Sequence, residues 1–320
     1  MVMYPCAILA DPEGNAWDFA SSIYKKLKER SKKFELTEIN IKKFGDREFK
    51  NKIEKNVRRH ICFYIHDSSK NPSEWFTELC LINHTLRNSS AQEIVDVLPY
   101  LKFSRQDRKD ESRVPISARV VADVIGLYAD RVLTIDVHNP AIQGFYNIPF
   151  DNLPSFPEAA EYFKKYHKEY LENLVIMAAD VGGGGRAKSF ARRVGAKDIV
   201  IGNKTKNKEG KIIDMQLIGN VGGRNVLIVD DIIDSGGTLC WSYDKLKSRG
   251  AKKIAVYAAH GIFSKGIDEL VKCFDMLVIG DSIINPEIKH EKIERVSFVN
   301  LLEKAIYRTV KGESLSELYN

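Results

Sequence analysis

VLIVDDIIDSGGT, Val226 to Thr238, is the stretch from which the fold of this chain can be read. Val226 to Val229 is an apolar run of the length of a buried parallel strand, and it ends on two adjacent carboxylates, Asp230 and Asp231. Charged residues belong at the mouth of such a strand. Asp234, Ser235, Gly236, Gly237 and Thr238 follow as small or polar positions, and then comes an amphipathic segment with Leu239, Tyr243 and Leu246 on one face. A loop of that composition at a helix N-terminus turns backbone N–H groups and the positive end of the helix dipole toward a phosphate. The carboxylates beside it are placed to accept hydrogen bonds from sugar hydroxyls or to hold Mg²⁺. A plain turn after a solvated strand end would explain the Gly-Gly pair. It does not explain the ordered run of strand, paired acids, third acid, Ser-Gly-Gly-Thr and helix.

Further apolar runs recur around this stretch: CFYI (62–65), IVDVL (94–98), RVLTI (131–135), LVIMAA (174–179), DIVIG (198–202), IAVYAA (254–259) and MLVIG (276–280). Helical spacing lies between most of them, at 73–87, 115–129, 186–194, 238–249 and 264–272. Ala16, Phe19, Ala20, Ile23, Tyr24 and Leu27 mark an amphipathic helix over 15 to 30. Strand and helix in alternation predict an α/β fold of mostly parallel sheets flanked by helices. Pro149 precedes and Pro154 and Pro157 punctuate the stretch DNLPSFPEAA, which predicts one domain over 1–153 and a second over 154–320. No tandem repeat or low-complexity tract is visible in the letters.

With 320 residues and 44% hydrophobic content, the chain can bury two cores of ordinary size. No apolar run reaches the roughly 18 residues of a membrane span, and the start, MVMYPCAILADPEGN, lacks a basic leader and soon meets Asp11 and Glu13. Neither a span nor a cleaved signal is expected. The five cysteines are scattered, odd in number and without a Cys-x-x-Cys pair, which fits reduced thiols in a cytoplasm. A net charge of +6 is modest for this length and favours small polyanions, and no motif points to nucleic acid.

Three more segments place charge after strand-like runs. In YLKFSRQDRKDESRVPISA, Tyr100 to Ala118, the residues Arg105, Arg108, Lys109 and Arg113 crowd a short loop before a helix, an arrangement suited to a polyphosphate. Asp136 and His138 follow the run RVLTI, where an acid beside a histidine can serve a metal-bound nucleotide. The polar segment Gly202 to Asn220 carries Lys204, Lys206, Lys208 and Lys211, read as a solvated hairpin or as mobile cations for a phosphate. KFGDREF, Lys43 to Phe49, reads by itself as a surface turn.

Taken together, FGDRE, RQDRK, DVHNPAIQGFYNIPFDNL, ADVGGGGRA, VDDIIDSGGTL and YAAHGIF occur in the order and approximate spacing of one family. The chain resembles the ribose-phosphate pyrophosphokinases, the 5-phosphoribosyl-1-pyrophosphate (PRPP) synthetases, over nearly its whole length. The resemblance implies two phosphoribosyltransferase-like α/β domains and transfer of the pyrophosphoryl group of ATP to ribose 5-phosphate, giving PRPP and AMP. It also implies Mg²⁺ and a homo-oligomer, either a dimer or a hexamer. Phe44, Asp46 and Glu48 match a loop that receives adenine from a neighbouring subunit, and Arg105 and Gln106 match residues that contact ATP. His138, Asp180, Asp136 and Asp151 match positions near the metal. Asp230 and Asp231 match the ribose-hydroxyl acceptors and Asp234, Ser235, Gly236, Gly237 and Thr238 the 5-phosphate loop, while Lys204 and Lys206 match the catalytic loop.

The chain also departs from the family's pattern. Lys206 stands for the family's Arg and Thr205 for a basic residue; Asn147 stands where an acid is common; Gly182 to Gly185 exceed the usual glycine run; Tyr319 replaces a Phe. An Arg-to-Lys exchange removes a bidentate phosphate donor. Two alternatives therefore stay open: a catalytically weak regulatory or associated subunit, and a base-specific phosphoribosyltransferase, in which the ATP-type segments would have no task.

Overall fold

A strand covered by helices on both faces must be apolar along its whole length, and such strands form the centres of two sheets. The structure, a computed structural model, describes residues 4–206 and 212–319, with the side chains of Lys206 and Ile212 outside that set. The chain packs as two compact units, Met1–Pro154 with Ser282–Pro286 and Val299–Asn320, and Ser155–Asp281 with Glu287–Phe298.

In the first unit, β1 (Cys6–Ala10), β2 (Phe34–Lys43), β3 (Phe49–Ile53), β4 (Ile61–Ile65), β5 (Glu93–Leu98), β6 (Arg131–Ile135) and β7 (Phe150–Leu153) form one sheet in the order β3-β2-β1-β4-β5-β6-β7. All neighbours are parallel except the β2–β3 hairpin. The helices between these strands are α1 (Trp17–Arg30), α2 (Pro72–Asn88) and α3 (Ser117–Ile125). Trp75, Leu79, Ile82 and Leu86 line one face of α2 at helical spacing and pack with Cys62, Tyr64 and Ile94 in the core.

The second unit contains α4 (Phe156–Tyr166), β8 (Leu174–Ala178), α5 (Gly184–Val194), β9 (Ile199–Lys206), β10 (Ile212–Ile218), β11 (Asn225–Ile233), α6 (Gly237–Ser248), β12 (Ile254–Gly261), α7 (Asp268–Cys273), β13 (Met276–Gly280) and β14 (Ile293–Val296). Its sheet runs β10-β9-β8-β11-β12-β13-β14, again parallel apart from one hairpin, β9–β10. This is the first unit's order strand for strand. The architecture repeats where the letters show no repeat, because packing constrains the apolar pattern and not the individual residues.

Every strand predicted from an apolar run is present, but β1, β2, β3, β7, β10 and β14 carried no prediction. β2 mixes buried and open positions and β3 has none buried, as expected of an edge hairpin. The segment Gly202 to Asn220 is likewise strand at both ends, Ile199–Lys206 and Ile212–Ile218. The last helix, α8 (Val299–Lys311), belongs to the first unit, where buried Glu303 meets Arg30 of α1 at 2.6 Å. The sequence alone assigned that stretch to 154–320. The five cysteines are free, and among the described residues no helix is long and apolar enough to cross a membrane.

Candidate active site

Within each sheet the crossover direction reverses once, at β1/β4 and at β8/β11, and open α/β sheets hold ligands outside the carboxyl ends of the strands at such a point. The acid pair stands at the second of these. Pairing of β11 with β8 stops at Val229↔Ala178, whereas pairing with β12 continues to Ile233↔Gly261. Asp230 and Asp231 therefore lie within the strand rather than after it, where its β8 side has become open. The sequence reading ended the strand at Val229; bonding to β12 carries it four residues further.

Past Asp234 and Ser235 the chain turns into α6 with Gly236 as the capping residue and no side-chain cap. The first N–H groups of a helix lack intrahelical acceptors, so this terminus presents donors to an anion. Gly236 has φ of 77°, and a Cβ there would lie 2.9 Å from Leu270 of α7. The same place in the first unit differs. Asn71 caps α2 with its side chain, accepting from the Glu74 N–H at 2.9 Å, and Glu74 adds a negative charge to that turn.

Around the acid pair the second unit gathers Asp180, Arg186 and Lys204. Asp180, which follows β8, accepts from the Gly183 N–H at 2.9 Å and faces Lys204 Nζ at 3.7 Å. Lys204 is largely buried, opposite Met215 in the β9–β10 register. The backbone of Lys206 lies opposite Ile212; its side chain, with Lys208 and Lys211, is outside the described residues. Arg186 of α5, which the sequence reading did not select, reaches Asp231 Oδ1 at 3.2 Å and Asp230 Oδ1 at 3.6 Å. The glycine run just before it was the available signal. Burial and the neighbouring Asp231 push Asp230 up to about 7, against the pull of Arg186.

None of Gly182 to Gly185 has positive φ, and an added Cβ would meet only ordinary contacts or none. The chain itself does not demand glycine there, which leaves room for close approach of a ligand.

The remaining candidates belong to the first unit. Phe44, Asp46 and Glu48 form the tip of the β2–β3 hairpin, with Phe44 exposed, its N–H donating to Glu48 O at 2.7 Å, and the Glu48 N–H donating to Asp46 Oδ1 at 3.1 Å. Arg105 and Gln106 sit in the loop between β5 and α3, where Gln106 Nε2 donates to Arg108 O at 2.9 Å and to Asp110 Oδ1 at 3.1 Å. Asp136 ends β6 buried, with φ of 37°, and His138 stands exposed two residues on. Asp151 is level with Leu133 and bound to Arg131 at 2.6 Å, so the fold does not bring it beside Asp136. Arg47, Phe103, Arg113 and Asp136 are non-glycine residues at positive φ, all within these segments, and such strain concentrates at functional sites. Among the described residues no three metal-ligating side chains form a cluster.

Residues 13–127 match the N-terminal domain of ribose phosphate pyrophosphokinase, and residues 205–320 match the phosphoribosyl synthetase-associated domain. A ribose-phosphate pyrophosphokinase of Hyphomonas neptunium is 37% identical over 290 residues, covering 89% of this chain and 92% of its own. One from Vibrio vulnificus is 38% identical over 291 residues, with coverage of 89% and 92%. The crystal structure of phosphoribosylpyrophosphate synthetase from Mycobacterium smegmatis superposes with a TM-score of 0.84 at 25% identity, covering 96% of this chain and 99% of that one. With the paired acids, the open helix terminus and both sheets in place, the chain belongs to the ribose-phosphate pyrophosphokinase family.

Proposed function

We propose that this protein transfers the pyrophosphoryl group of ATP to the C1 hydroxyl of ribose 5-phosphate, giving PRPP and AMP. The observation that carries the reading is the uncapped N-terminus of α6 directly following Asp230 and Asp231 on β11. The 5-phosphate takes the N–H groups of Ser235 to Thr238, and the sugar hydroxyls donate to the carboxylates. Lys204, set toward Asp180, neutralises charge on the moving pyrophosphoryl group, and Lys206 follows it on the same strand. Phe44, Asp46, Glu48, Arg105 and Gln106 serve adenine and the triphosphate.

Mg²⁺ is held through one or two carboxylates together with substrate phosphates, and Asp180 in the second unit and, in the first, Asp136 with His138 two residues on are each donors of the type it takes. Asp151 fits it less well because Arg131 already holds it. The ion supplies charge neutralisation on the transferred group. The reading also places the protein in the cytoplasm, as a homo-oligomer.

Incubation of the purified protein with ATP, Mg²⁺ and ribose 5-phosphate should release AMP and PRPP together. Replacing both Asp230 and Asp231 with Ala should abolish this while leaving the melting temperature close to that of the parent. No AMP from a folded, ribose 5-phosphate-binding protein would point instead to a regulatory subunit, the reading to which Lys206 in place of Arg lends weight.

A further inference from the structure

Arg186 is the third residue of α5, in a helical turn without acidic residues. A cation is unfavourable there, because the helix dipole is positive at its N-terminus. Its position therefore does not serve the helix. What it meets is the acid pair: Nη1 lies 3.2 Å from Asp231 Oδ1 and 3.6 Å from Asp230 Oδ1, with all three side chains largely buried. The Asp231 backbone N–H also donates to Asp230 Oδ1 at 2.9 Å, which fixes the Asp230 carboxylate against the strand. Two carboxylates this close repel one another and favour taking up a proton, and a cation against both opposes that. Among the described groups facing Asp230, Asp231 on its own strand and Asp180 after β8 oppose its charged form, and Arg186 on α5 favours it.

We infer that Arg186 is a positioning residue for the sugar, holding Asp230 and Asp231 side by side so that together they read neighbouring hydroxyls of the sugar phosphate. This rests on the proposed placement of ribose 5-phosphate at β11 and α6. The guanidinium is suited to the task because its planar fork can engage two carboxylates at once, whereas a lysine acts as a point charge. Without the guanidinium the pair would hold a proton more firmly, offering a donor where a hydroxyl needs an acceptor. The sugar would then lose a charge-assisted hydrogen bond.

Arg186→Gln and Arg186→Lys test this by calorimetric titration with ribose 5-phosphate and, separately, with 2-deoxyribose 5-phosphate, without turnover. The melting temperature and ATP affinity serve as fold controls. Arg186→Gln should weaken ribose 5-phosphate binding about tenfold or more, and Arg186→Lys by less. The loss should be smaller on the deoxy sugar, since one of the hydroxyl contacts is missing there from the start, as in a double-mutant cycle. A purely structural role would weaken both sugars and ATP alike, and that result overturns the inference. So does ribose 5-phosphate binding by Arg186→Gln within about twofold of the parent. If Arg186→Gln does not fold, Arg186→Lys decides: unchanged discrimination between the two sugars overturns the inference. Parent protein that binds ribose 5-phosphate without forming PRPP would defeat only the proposed reaction, whereas parent protein that fails to bind it defeats both.

Discussion

Lys204 lies against Asp180, so the resting site already spends part of its charge within the protein. A cation that exchanges such a contact for the transferring group acts mainly in the transition state, which lowers the barrier without greatly tightening the ground state. Lys204→Ala should reduce kcat by about 100-fold or more, in line with the loss of an electrostatic stabiliser, with little change in ribose 5-phosphate affinity. Unaltered turnover, or a loss confined to affinity, would remove Lys204 from that role. At this scale the sequence revealed the acids and lysines, because charged residues after apolar runs stand out. It did not reveal Arg186, whose meaning depends on a neighbour 45 residues away. Nor did it show that Asp151 is engaged by Arg131, since β6 and β7 must pair before the two meet.

Among the elements, the turn from β11 into α6 rests on Gly236, which combines left-handed φ with contact against Leu270 of α7. Any side chain there meets both obstacles. Gly236→Ala should cost about 1–2 kcal/mol from the backbone alone. It should also displace the N–H groups proposed to take the 5-phosphate, so that ribose 5-phosphate binding weakens by more than the melting temperature would suggest. Binding and melting temperature both unchanged would show that neither the left-handed turn nor the Leu270 contact shapes this terminus. The central strands were legible because two covered faces demand continuous apolar residues. The edge hairpin β2–β3 was not, since exposure dilutes the pattern with polar residues, whereas β9 was read from DIVIG and a hairpin was one of the two readings of the segment after it. KFGDREF reads as a surface turn, and it is one: the tip joining two strands whose own letters gave little signal.

For the whole molecule, the resemblance to the family implies self-association and sensitivity to phosphate, with the C-terminal GESLSELY at a regulatory site. In the structure this tail closes on α8: Arg308 binds Glu317 at 2.7 Å, and Ser314 and Ser316 share a hydrogen bond of 2.8 Å. Two adjoining hydroxyls beside an arginine suit an anion. Light scattering at working concentration should give a multiple of the 36.3 kDa chain mass, and activity should differ between phosphate and a neutral buffer. A monomer with phosphate-independent activity would count against both expectations.

The sequence by itself determined the α/β class, the run of an apolar strand, paired acids and a glycine-containing loop before a helix, and membership in a family, because these follow from local periodicity and from short motifs. Tertiary structure decided the rest. It showed that one strand order is used twice, that β11 outruns β8 so the acids open sideways, that α8 returns to the first unit, and that Arg186 joins the acid pair. Each of these depends on contacts between residues far apart in the chain. Such contacts arise from packing and hydrogen-bond completion across elements, and no window of consecutive letters contains both partners.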